Sequence, residues 1–78
     1  MEYIIIYEDY DRTLVFKSNS MEEINEWFEA TISDIQENGG YVISKSYDVA
    51  WGHLLNDDFW KIAIYNEHEI DNLKKIEF

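Results

Sequence analysis

Apolar and polar positions alternate along this chain in short blocks, and the blocks change period. Residues 2–8, Glu-Tyr-Ile-Ile-Ile-Tyr-Glu, form a β-branched and aromatic run that suits a strand buried on at least one face. Glu8-Asp9-Tyr10-Asp11 is polar and turn-like, and residues 12–17, Arg-Thr-Leu-Val-Phe-Lys, read as a second strand. Residues 2–17 therefore predict a β-hairpin, with a turn of open type because Asn-Gly is missing.

The period then switches to that of a helix. Met21, Ile24, Phe28, Ile32 and Ile35 recur every three or four residues, which places them on one helical face. Ser20 followed by Glu23 fits a capping box, and Gly39-Gly40 supplies a left-handed stop. The helix is predicted over 21–38. Residues 41–47 read as a third strand. Residues 48–57 are compatible with a loop or a short helical turn. Residues 58–65 form a further strand, with Trp60, Ile62 and Ile64 alternating onto one side. The last stretch forks. Asn66 and Glu69 would cap a helix carrying Ile70, Leu73 and Ile76, or residues 66–72 turn and 73–78 add a fifth strand. The strand is favoured, since it would cover the apolar face of its neighbour. The order ββαββ(β) predicts an α+β fold: a small antiparallel sheet of four or five strands, one amphipathic helix on a face, and a single domain over 1–78.

Composition narrows the class. The 78 residues carry 17 Asp and Glu against 6 Lys and Arg, a net charge of −11. Hydrophobic residues at 46% and aromatics at 17% are too abundant for a disordered polyanion. Without Cys there are no disulfides, thiolate metal sites or cysteine nucleophiles. No apolar run approaches the ~20 residues that cross a bilayer. Met-Glu-Tyr-Ile at the start lacks a basic signal-peptide region, so a cytoplasmic protein is expected. Solubility asks for a net charge of only about 2–8 in magnitude. The excess therefore points to a basic partner or to a proteome-wide habit.

The charge is patterned. Glu22, Glu26, Glu29 and Glu37 share a helix side away from Ile24, Phe28 and Ile35, with Glu23 and Asp34 flanking them. No Lys or Arg lies between Lys17 and Lys45, so no ion pair forms within the helix, and like charges four apart weaken it slightly. Four helical residues rise about 6 Å, close to two base steps along a DNA strand, about 6.8 Å. A carboxylate row on this spacing approximates a row of phosphates. A solvated helix face gives the same spacing. Glu8, Asp9 and Asp11 crowd the hairpin turn around Tyr10, a second candidate patch in which a ring supplies contact and acids supply steering, unless Tyr10 is a turn residue folded over the hairpin. Asp57 and Asp58 stand near Trp51 and His53, with Trp51 expected in the core, and Glu67, Glu69 and Asp71 cluster later.

Catalytic and cofactor chemistry find no motif. Glu67-His68-Glu69 on a strand would split its ligands between faces, and a metal site would need His53 close by. Asp9-x-Asp11 lacks the Gly and terminal Glu of a calcium loop. No glycine-rich phosphate loop or nucleophile elbow occurs. The expectation is a protein that is not an enzyme and holds no cofactor or metal. Direct nucleic-acid binding would demand a basic patch that the sequence does not carry.

Short length, absence of Cys and Pro, strong negative charge and compact α+β order together resemble the small acidic phage-encoded inhibitors of bacterial defence, of anti-CRISPR and anti-restriction type. The resemblance is one of overall profile and transfers no residue role. It implies an inhibitor that occupies a basic groove of a nuclease or CRISPR effector complex and excludes nucleic acid. The partner-binding residues expected on the charge pattern are Glu22, Glu26, Glu29, Asp34 and Glu37, with Glu8, Asp9, Tyr10 and Asp11 as a second patch. An immunity protein against a basic toxin nuclease would use the same electrostatics. A module that self-associates through a strand edge is the third reading.

Overall fold

In the computed structural model, residues 2–66 are described. The chain begins with β1 (Tyr3–Asp9) and β2 (Thr13–Ser18), continues through α1 (Met21–Glu37), and returns with β3 (Tyr41–Lys45), β4 (Val49–His53) and β5 (Phe59–Asn66). The five strands make one antiparallel sheet in the order β2-β1-β5-β4-β3. The α+β class, the β1–β2 hairpin and the helix after it agree with the sequence pattern. The order is ββαβββ. The fifth strand comes from the ambiguous stretch at 48–57, as β4. The alternatives for 67–78, including a strand at 73–78, fall outside the described residues.

Strand register shows how the sheet sorts its side chains. Ile5 stands opposite Phe16 on one side and Ile64 on the other, and Tyr7 opposite Leu14 and Ile62. Ala50 then continues the row beyond Ile62, and Gly52 lies beside Trp60. These odd positions of β1 and their partners face α1, whose Ile24, Phe28, Ile32 and Ile35 complete the core. Met21, expected on that face, is the first residue of α1 and is 40% exposed, so it falls outside the buried core. Phe16 and Trp27 stack with ring centres 5.7 Å apart and close the β2 side of the core. The other sheet face carries Ile4, Ile6 and Ala63 in the middle, buried as well, and Trp51, His53, Phe59 and Tyr41 towards one end. Trp51 is therefore half-buried against Phe59 on the face away from α1, not in the helix-side core.

Local signals act largely as the sequence implies. Ser20 Oγ accepts from the Glu23 amide at 3.2 Å, the capping half of the box. The reciprocal half is replaced: the Ser20 amide donates to Ser18 Oγ at 3.0 Å. The helix ends one residue early, with Asn38 as its cap and Gly39 at φ +90°, where a side chain would be strained. β3 ends at Lys45 because Ser46 begins a turn, its amide donating to the Val49 carbonyl at 2.8 Å.

Candidate functional site: the anionic helix and the hairpin turn

A helix that buries Ile24, Phe28, Ile32 and Ile35 must turn the opposite arc to water, and on α1 that arc is anionic. Glu22, Glu23, Glu26, Glu29, Asp34 and Glu37 are all exposed. At 1.5 Å per residue, Glu22 to Glu37 spans about 22 Å along the helix. The helix has acids in its first turn, where the dipole favours them, and no base in its last turn, where Glu37 meets the unfavourable end. The row is not wholly free of cations. Glu29 Oε2 accepts a hydrogen bond from Lys45 Nζ at 2.8 Å, a link from helix to β3 that spacing within the helix does not reveal. Glu29 thus stands at the border of the row, while Glu22, Glu26 and Glu37 lie on the arc itself.

Among the described residues the cations other than Lys45 are set apart from the helix. Register places Lys17 opposite Ile4 and Lys61 opposite Glu8, on the sheet face away from α1. Arg12 sits at the hairpin turn, 3.9 Å from Asp9. Among the described residues, Lys17 and Lys61 thus stand away from the helix carboxylates and Arg12 at the rim, while Lys45 reaches Glu29.

The second expected patch divides. Tyr10 is 83% exposed, and Glu8 and Asp11 are also at the surface. Asp9 is not available in the same way, its side chain being only 8% exposed. One carboxylate oxygen accepts from the amides of Asp11 and Arg12, at 2.8 and 3.0 Å, and the other from the Tyr7 hydroxyl at 2.6 Å. Burial alone would raise the Asp9 pKa. The hydroxyl, the two amides and the Arg12 charge outweigh it and hold the carboxyl below its ordinary value. Tyr7 moves the other way: burial first, then the bond to Asp9 and its negative charge, push the phenol well above its usual range. The Asp9 carboxylate is a structural element of the turn.

Between this turn and the end of α1 lies an open cleft of about 620 Å³, lined by Tyr7, Arg12, Asp34, Asn38 and the apolar Leu54 and Leu55 among others. Asp34 is thereby drawn towards the hairpin side of α1. Asp57 and Asp58 belong to the β4–β5 turn. Asp57 takes φ +68°, and its carbonyl accepts from His53 Nδ1 at 2.9 Å; Asp58 exchanges hydrogen bonds with Asn56. Among the described residues no three His, Cys, Asp or Glu side chains converge as metal ligands, and no helix is long and apolar enough to cross a membrane. His68 and the acids at 67, 69 and 71 are outside the described residues.

Among the described residues, fold and surface together define an α+β arrangement of one sheet and one anionic helix. Comparison with protein-family models, with curated proteins and with solved structures finds no match to this chain.

Proposed function

We propose that this chain is a protein-binding inhibitor whose α1 arc occupies a basic, nucleic-acid-binding groove of a bacterial defence nuclease or effector complex. This is the anti-CRISPR and anti-restriction type of action that the compositional profile implies. The observation that carries it is the exposed row Glu22, Glu26 and Glu37, without a cation on its own arc and backed by a rigid apolar core. Such a row attracts a basic groove over distance and replaces phosphates once docked. It does no chemistry of its own, needs no cofactor, and acts in the cytoplasm where its target handles nucleic acid. Tyr10, Glu8 and Asp11 extend the contact at the hairpin. An immunity protein against a basic toxin nuclease remains the alternative target class, distinguished by which protein is captured.

The test joins capture to competition. The chain is used to isolate its partner from the source cell, and the partner's nucleic-acid binding is then measured with and without the chain. Loss of nucleic-acid binding is expected. Replacing Glu22, Glu26 and Glu37 together by Gln should leave the circular dichroism unchanged, slow association about tenfold and flatten its salt dependence. A partner that binds nucleic acid and this chain at once, or an association rate untouched by the triple change, refutes the proposal.

A further inference from the structure

The two edges of the sheet are built differently. At the β3 edge the register shifts between Val42 and Ser44, leaving Ile43 as the extra residue of a bulge, and Lys45 is tied back to Glu29. Bulges and charges of this kind blunt an edge against further pairing. The β2 edge has no bulge, and its one charged side chain, Lys17, stands beside its last residue. All six residues Thr13–Ser18 pair with β1 without a shift. Among the described residues no backbone hydrogen bond reaches β2 from its outer side. Both of its faces show apolar surface, Leu14 at 39% and Val15 at 49% exposed. It is also the one long acid-free stretch of the hairpin and helix: no Asp or Glu occurs from Arg12 through Met21.

We propose that β2 pairs antiparallel with β2 of a second copy of this chain, about a two-fold axis at Val15, to make a continuous ten-stranded sheet. The face pattern of β2 is self-complementary about Val15. In an antiparallel pair opposite residues share a face, so Val15 meets Val15, Leu14 meets Phe16 and Thr13 meets Lys17 of the other copy. On the face away from α1, the apolar row Ala63–Ile6–Val15 then continues into its own mirror series. On the helix face, Leu14 covers the outer side of the Phe16–Trp27 stack of the second copy. The charges also fit. Glu8 lies beside Thr13 within each chain. Lys17 of the second copy arrives two strands from Glu8, about 10 Å between backbones, a gap the two extended side chains close together. No Asp or Glu lies on β2 itself, so the pairing sets no carboxylate directly against another in two bodies of charge −11. The two-fold leaves both α1 helices on one side of the joined sheet. This inference stands whether or not the inhibitor reading holds.

Sedimentation velocity over about 10 to 500 µM tests it on the intact chain. The expected result is a mass rising towards twice 9.4 kDa. Val15→Lys sets two lysines against each other at the axis and should weaken the dimer at least about tenfold. Ile43→Lys, on the bulged edge, should leave it within about twofold. Circular dichroism checks that both variants fold. If Val15→Lys does not fold, amide exchange on the unaltered chain decides: β2 amides should gain protection with concentration while β3 amides do not. A monomer throughout, an equal effect of both variants, or concentration-independent exchange at β2 overturns the proposal.

Discussion

Asp9 shows how one side chain can look like surface and act as structure. Its carboxylate gathers two turn amides and the Tyr7 hydroxyl, so the hairpin is closed by a charged acceptor where a sequence of type Asn-Gly would have used backbone geometry. Asp9→Ala should destabilise the fold by about 1–3 kcal/mol, because the Tyr7 hydroxyl is left unsatisfied beside the core. The pH dependence has a definite sign. Asp9 is held below its ordinary pKa of 3.8, so the folded state gives up this proton more readily than the unfolded chain. Its contribution is complete above that value and is lost as pH falls through the lower folded one. The gap in stability between the natural chain and Asp9→Ala, measured by urea unfolding, should therefore shrink between about pH 5 and about pH 2. A gap that stays constant would show that the charge is irrelevant to the turn. None of this is legible from Glu8-Asp9-Tyr10-Asp11, where three carboxylates look alike and only the fold decides which one turns inward.

At the scale of elements, α1 is the most legible and β4 the least. A helix states itself through spacing over seventeen residues, and its apolar face was readable before any partner was known. β4 is five residues long, and its helix-facing positions are Ala50 and Gly52, so the inward half of the alternation carries almost no side chain to read. The structure explains the glycine. Gly52 lies between Val42 and Trp60 on the helix face, and a Cβ there would collide with the Tyr41 carbonyl. That same carbonyl accepts the Trp60 indole N–H at 3.3 Å. Gly52→Ala should thus cost about 3 kcal/mol in urea unfolding and disturb the β3–β4 pairing first, seen as early loss of amide protection there. An alanine variant as stable as the parent would mean that β3 yields freely and is not held by this approach.

For the whole molecule, charge distribution matters more than charge total. Six helix carboxylates stand on one side, while Lys17 and Lys61 belong to the other face of the sheet. Carboxylates this close repel one another within the Debye length, which shrinks from about 30 Å at 0.01 M salt to about 3 Å at 1 M. Added sodium chloride should therefore raise the midpoint of thermal unfolding by about 3–6 °C between low and high salt, measured at low protein concentration. The Glu29–Lys45 pair loses strength under the same change, but an exposed pair contributes only about 0–1 kcal/mol. A midpoint that falls with salt would assign the helix arc to local pairing instead of uncompensated repulsion.

Sequence by itself determined the class of fold, the hairpin, the helix with its stop, and the fact that its outer arc is acidic. These are local properties, set by period, capping chemistry and the signs of neighbouring side chains. Tertiary structure alone decided the sheet order, the insertion of β5 between β1 and β4, the bond from Lys45 to Glu29, and the different build of the two edges. Those depend on residues far apart in the chain, whose meeting is fixed by which apolar faces can be buried together and not by any spacing along the sequence.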